Sequence, residues 1–260
     1  MMEQPQANNN PPPAQESLSP AQPVKSGPVW SRFPGTYILI AITALVFLGQ
    51  TMTTRWLGYD LLLTLGAKSR AEILNGEMWR FFTPVFLHIG LTHIFVNMYS
   101  LYAIGPAVER FFGTRRFLIT YLLAGVSGVV LSLALSPYPS AGASGAIFGM
   151  LGALAAFLYR HRTLFGRFGR LQLRQIILVA LLNLGLGLMP GIDNWGHLGG
   201  LLAGIALGWF VGPRFEVVWG WTNQGQLVDR LPWETSRIGF VAAAGALVLL
   251  ALATTLWIGS

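Results

Sequence analysis

Residues 136–162 read SPYPSAGASGAIFGMLGALAAFLYRHR. Two prolines and a run of small residues give way, at Ser144, to an apolar segment that ends on basic side chains. Residues 144–159 number 16, about 24 Å of α-helix against a hydrocarbon core of about 30 Å. A helix anchored at its far end by Arg160 therefore starts below the opposite membrane surface, and the preceding PYPSAGA enters the membrane as irregular backbone. Such backbone persists only beside protein or water. Ser144 thus stands at a submerged, water-accessible helix start, where its own N–H has no intrahelical acceptor and can serve an oxyanion.

The rest of the chain belongs in lipid too. Of 260 residues, 53% are hydrophobic and 10% charged, against a charged fraction of about a quarter in soluble proteins. Cysteine is absent, which excludes thiol nucleophiles, disulfides, cysteine-ligated zinc and iron–sulfur clusters. Residues 1–29 lack any apolar face and lack the basic-then-apolar order of a signal peptide, so they read as a disordered tail.

Seven apolar runs qualify as spans: 35–52, 91–111, 116–135, 144–159, 174–191, 195–212 and 237–258. Alternate connections carry thirteen Lys and Arg on one side and four on the other, namely Arg55, Lys68, Arg70 and Arg80. Basic residues are retained in the cytoplasm, which places the amino terminus inside. The expected architecture is all-α: a polytopic helical membrane bundle with a disordered cytoplasmic tail (1–33), a six-span core (34–214), a cytoplasmic connection (215–236) and an added seventh span (237–258). The four outer basic residues fall in the long first connection, 51–90, whose Trp56 and Trp79 suit an element lying in the outer interface. In the seventh span, Ala242, Ala243, Ala244 and Gly245 offer a close-contact surface.

With this orientation, spans two, four and six all enter from outside. Their first turns hold His93 and Asn97, Ser144, and His197. Four polar side chains therefore gather at one depth. His93 and Asn97, at i and i+4, share a helix face and each can donate to one oxygen. Ser144 is followed by Gly145, Gly149 and Gly152, and His197 lies within Gly196, Gly200 and Gly204, small residues spaced for close helix contact. His197 sits at about 100° from Gly196, on the edge of that face. Glycines for packing and a serine bonded to a carbonyl would explain each stretch alone. A histidine on a second glycine-lined span at the same depth favours chemistry, because ionisable groups inside membranes are costly and usually functional. A serine beside a neutral histidine is the minimal activated nucleophile. Asp193, four residues before His197, belongs to the loop and is not read as a third member.

FLHIGLTHIFVNM, GASGAIFG and GHLGGLLAG, in that order on spans two, four and six, resemble the rhomboid family of intramembrane serine proteases. The resemblance covers approximately residues 33–214 and implies Ser144 as nucleophile, His197 as general base, and His93, Asn97 and Gly142 with the Ser144 backbone as the oxyanion and substrate-binding site. Trp79–Arg80 and Glu109–Arg110 resemble family pairs with structural roles. Phe148 stands where some members carry tyrosine, keeping an aromatic support for the base without the hydroxyl. The implied activity is endopeptidase cleavage of transmembrane, mainly single-span, proteins near the outer face, in a bacterial inner membrane. No cofactor, metal or nucleic acid is expected: HExxH is missing, and the other histidines, His88 and His161, lie apart. A catalytically dead relative acting as a membrane chaperone and a multi-span transporter remain the competing readings.

Overall fold

Proline and glycine set the helix limits. The computed structural model describes residues 29–219 and 225–260; most of the tail expected at 1–33 lies outside them. α1 covers Val29–Arg32, and residues 33–260 form one unit. α2 (Pro34–Leu57) starts on a proline, whose missing N–H has no intrahelical partner to lose, and stops at Gly58 with φ 81°. Its first turn is fastened by Glu109. That carboxylate accepts from Gly35 N, Thr36 N and Thr36 Oγ1 (each 2.8 Å) and from Thr114 Oγ1 (2.7 Å), negative charge where the α2 dipole is positive.

The first connection is short helices rather than free loop: α3 (Leu61–Gly66), capped by Asp60, then α4 (Arg70–Leu74) and two 3-10 turns, Met78–Phe81 and Thr83–Phe86. Arg80 is buried and stitches it together. Its guanidinium donates to Ala67 O (2.8 Å), Thr64 O (3.0 Å) and Glu77 Oε2 (2.6 Å), while Trp79 Nε1 donates to Leu65 O (2.9 Å).

α5 (Leu91–Leu135) runs 45 residues, about 68 Å if straight, more than twice the hydrocarbon thickness. Gly113, at φ 73° and ψ 158°, breaks it. Only glycine adopts that backbone cheaply, so 91–112 and 114–135 are two helical arms. α6 (Ser144–Arg160) is buried along almost its whole length, between α5, α7 (Gly166–Leu186) and α8 (Asn194–Phe210). Its Ile147, Met150, Leu154 and Phe157 meet Leu101, Val108, Phe112, Phe117 and Tyr121 of α5 in the main core.

α7 departs from the expected 174–191. It begins eight residues earlier, carrying Arg167, Arg170 and Arg174 on a polar first half, and ends before Pro190 and Gly191, the latter at φ 87°. Proline disfavours helix in the residue before it, which closes the segment early. The connection expected at 215–236 contains an antiparallel hairpin, β1 (Phe215–Trp219) with β2 (Gly225–Asp229), in register Phe215 to Asp229. Arg116, buried on α5, holds it by donating to Asp229 Oδ2 (2.8 Å), Leu231 O and Ser236 Oγ (3.0 Å).

α9 (Trp233–Gly259) packs on α5 through Leu247 and on α8 through Phe240. Of the surface expected at Ala242–Gly245, Ala243 packs against the cluster of Leu207, Val211 and Phe240, a methyl group built on Gly245 would meet nothing within 4 Å, and the close approach is Gly239 against Val211. α2, α5 and α9 are each long and apolar enough to cross a membrane, with α6 a shorter apolar helix. Outward leucines such as Leu45, Leu181, Leu249 and Leu256 are exposed, as a lipid-facing surface requires. The fold is a helical multi-pass membrane bundle.

Candidate active site

Two helix starts meet through glycine. A methyl group built on Gly200 would lie 1.9 Å from Gly145 O, one on Gly204 2.0 Å from Gly149 O, and one on Gly152 2.4 Å from Leu201 O. Gly145 and Gly128 both face Gly196 O, and Gly149 faces Ala124 of α5. No residue larger than glycine fits at Gly200 or Gly204 without moving backbone. The result is that the first turns of α6 and α8 abut, and Ser144 Oγ lies 2.9 Å from His197 Nε2.

The imidazole is held flat. Phe148, one turn below Ser144, stacks on His197 with ring centroids 4.4 Å apart and planes 15° from parallel. His197 N donates to Asp193 O (3.2 Å), and the Asp193 carboxylate accepts from Gly196 N (3.0 Å) as the N-cap of α8. Among the described residues nothing hydrogen-bonds His197 Nδ1. Asp193 is therefore a helix cap, and the pair has no acidic third member on that nitrogen.

On the other side of Ser144, Gly142 adopts φ 145°, and a methyl group there would meet His93 Nε2 at 2.9 Å and Ser144 Oγ at 3.7 Å. Only glycine leaves that gap open. Ile89 N donates to His93 Nδ1 (3.3 Å), so a neutral His93 carries its proton on Nε2, the nitrogen aimed at Gly142. Asn97, buried one turn on, donates from Nδ2 to His93 O (2.9 Å); its amide has a second N–H to offer. The structure brings His93, Gly142, Ser144, Phe148 and His197 together, with Asn97 directly behind His93. A cavity of about 30 Å³ lies beside Ser144, lined by Gly125, Gly128, Val129, Gly142 and Asp193. A larger apolar groove, about 570 Å³ between α2 and the first connection, is lined by Ile42, Leu65, Trp79 and Phe86 and by none of these residues.

The segment that carries these helices matches a known family. The family model described as "Rhomboid domain" covers residues 75–214, more than half of the chain. The chain belongs to the rhomboid family. This rhomboid is 44% identical over 171 residues to Rhomboid protease GluP of Bacillus subtilis, an alignment covering 65% of this chain and 33% of that one. It is 34% identical to RHOMBOID-like protein 4 of Arabidopsis thaliana over 206 residues, 78% of this chain and 49% of the plant protein. With Rhomboid-like protease 3 of Toxoplasma gondii it shares 35% identity over 162 residues, 62% of each chain. The chain thus spans between a third and about half the length of the first two relatives.

Several residues around the rhomboid site were not legible as parts of it. His88 is buried against His93, ring centroids 5.1 Å apart, and its Nε2 accepts from Ala143 N at 3.4 Å, immediately before the serine. Burial and the neighbouring His93 push the His88 imidazole down to about 4, so it is neutral. Gln50 fixes the same segment, accepting from His88 N and donating to His88 O (3.0 Å each). Lys68, counted by sequence as an outer interfacial charge, is fully buried.

Proposed function

We propose that this rhomboid is an intramembrane serine endopeptidase that cuts transmembrane segments of membrane proteins near the outer face of the membrane. The observation that carries the reading is the 2.9 Å contact of Ser144 Oγ with His197 Nε2 at the start of a buried helix. His197 Nε2 takes the hydroxyl proton as Oγ attacks the scissile carbonyl, giving a tetrahedral oxyanion. The Ser144 N–H, His93 Nε2–H and Asn97 amide donate to that oxyanion. His197 returns the proton to the leaving amine, the acyl-enzyme remains on Ser144, and a water activated by the same nitrogen releases the second product. Phe148 restricts the imidazole to the plane in which Nε2 meets Oγ.

A helical substrate hides its carbonyls in its own hydrogen bonds, so the segment to be cut must unwind at the site. The cavity of about 30 Å³ beside Ser144 is small, which supports a small residue preceding the cut. The likeness to the Rhomboid protease GluP and to the Rhomboid-like protease 3 of Toxoplasma supports the same activity. The distribution of Lys and Arg supports an amino terminus in the cytoplasm. Serine-directed fluorophosphonate labelling with peptide mapping tests the reading: modification falls on Ser144 and is lost in His197→Ala. Label spread over other serines, or unchanged in His197→Ala, would leave a binding or chaperone role instead.

A further inference from the structure

Lys68 lies in the first connection, outside the residues that touch Ser144 or His197, yet it bonds the approach to Ser144 directly and is linked through Ser132 to the approach to His197. Its backbone pairs with the segment leading to the nucleophile: Lys68 N donates to Ser140 O (2.8 Å) and Ser140 N to Lys68 O (3.1 Å), an isolated antiparallel bridge. Its side chain runs the other way. Nζ donates to Ser132 Oγ (2.8 Å), Ser136 O (3.2 Å) and Ser132 O (3.4 Å), and Ser132 Oγ donates to Asp193 Oδ2 (2.5 Å). The other oxygen of Asp193 caps Gly196 N, and its carbonyl takes His197 N–H. A fully buried ammonium is costly to retain for structure alone, since an apolar side chain of similar length fills the same space without desolvation.

We propose that Lys68 is a positioning residue that sets the two helix starts against each other, gripping the Ser144 approach with its backbone and the His197 helix cap with its ammonium group through Ser132 and Asp193. The inference rests on the reading of Ser144 and His197 as nucleophile and base. The charged groups facing Lys68 are Asp193 at the start of α8 and Arg70 on α4; Arg70 itself donates to Leu133 O and Ala134 O of α5. Burial pushes the Lys68 ammonium down to about 8, with Asp193 opposing that fall and Arg70 adding to it. At neutral pH it is charged, and it loses its proton within an accessible range.

The test uses full-length protein in detergent, with Lys68→Met, Asp193→Asn and the double variant. Fluorophosphonate labelling rates are normalised to the labelling endpoint, so that only competent molecules count, and hydrogen exchange is followed at residues 194–198. Lys68→Met keeps the backbone bridge and removes the ammonium. It labels at least tenfold more slowly per competent molecule at pH 7, and it lacks the slowing that wild type undergoes as pH rises through about 8. The double variant is no slower than the slower single, because the residues act as one chain. Exchange rises at 194–198 and stays unchanged in α9. A Lys68→Met protein with lowered thermal stability but a wild-type rate and pH profile overturns the proposal, as does unchanged exchange at 194–198. Were wild type itself not to label at Ser144, the protease reading would fall while the exchange measurement still decided the positioning role.

Discussion

Gly200 of α8 meets Gly145 of α6 so closely that a single methyl group on Gly200 would stand 1.9 Å from the Gly145 carbonyl oxygen. Neither backbone can yield without separating Ser144 from His197, whose helix starts these residues join. Gly200→Ala therefore lowers labelling and cleavage by about a hundredfold, the cost of roughly 1 Å of misplacement at a reacting pair. Gly245→Ala, where nothing lies within 4 Å, keeps both at wild-type level. Equal activity in the two variants would show that the glycine face does not set the contact.

That face was readable from sequence because small residues at i, i+4 and i+8 define one side of a helix whatever surrounds it. The start of α6 was readable for a related reason: proline and glycine before Ser144 leave no other place for the helix to begin. What escaped was long-range. Lys68 finds Ser132 64 positions on, and Ser132 finds Asp193 61 further; neither pairing leaves a periodic trace, and a lysine in an interfacial connection is ordinarily solvated. The hairpin at 215–229 escaped because its two five-residue strands are too short for alternation to stand out, and because it is fastened from outside by Arg116.

In the proposed mechanism His93, with Nε2–H, and Asn97, with its second amide hydrogen, donate to one oxyanion. Their individual replacement by alanine lowers turnover by roughly 10- to 1,000-fold, as loss of one preorganised oxyanion donor does, while Ser144 still labels. Full activity in both variants would reduce them to packing residues.

Glu109 serves stability rather than chemistry. Its carboxylate satisfies four donors at the start of α2 and at Thr114, and each buried donor left unpaired costs about 1–3 kcal/mol. Glu109→Ala accordingly lowers the thermal midpoint sharply, and the surviving folded fraction labels at the wild-type rate. A wild-type midpoint would contradict the fastening role.

His161 is buried at the cytoplasmic end of α6 as the proposed topology has it, with Nδ1–H donated to Phe157 O (2.8 Å) and Nε2 accepting from Phe215 N (2.9 Å). Protonation of Nε2 would break the contact to β1. Burial is the first cause holding this imidazole below its usual value, with Arg160 adding to it against the Phe157 carbonyl and Asp229. The unfolded chain therefore takes up the proton first as pH falls below about 6.5, and stability present above that pH is lost. Wild type loses thermal stability from pH 7 to pH 5, and His161→Gln, less stable at pH 7, loses less over that interval. Parallel curves for the two proteins would remove His161 from the acid response.

The most direct measurement of the central claim is cleavage of a defined single-span protein co-reconstituted with this rhomboid in proteoliposomes. Wild type cuts the span near its outer end; Ser144→Ala and His197→Ala each abolish cutting while remaining folded, and the double variant is no worse than either, since the two side chains act as one unit. Cleavage by Ser144→Ala at a rate near that of wild type would contradict the assignment of Ser144 as nucleophile.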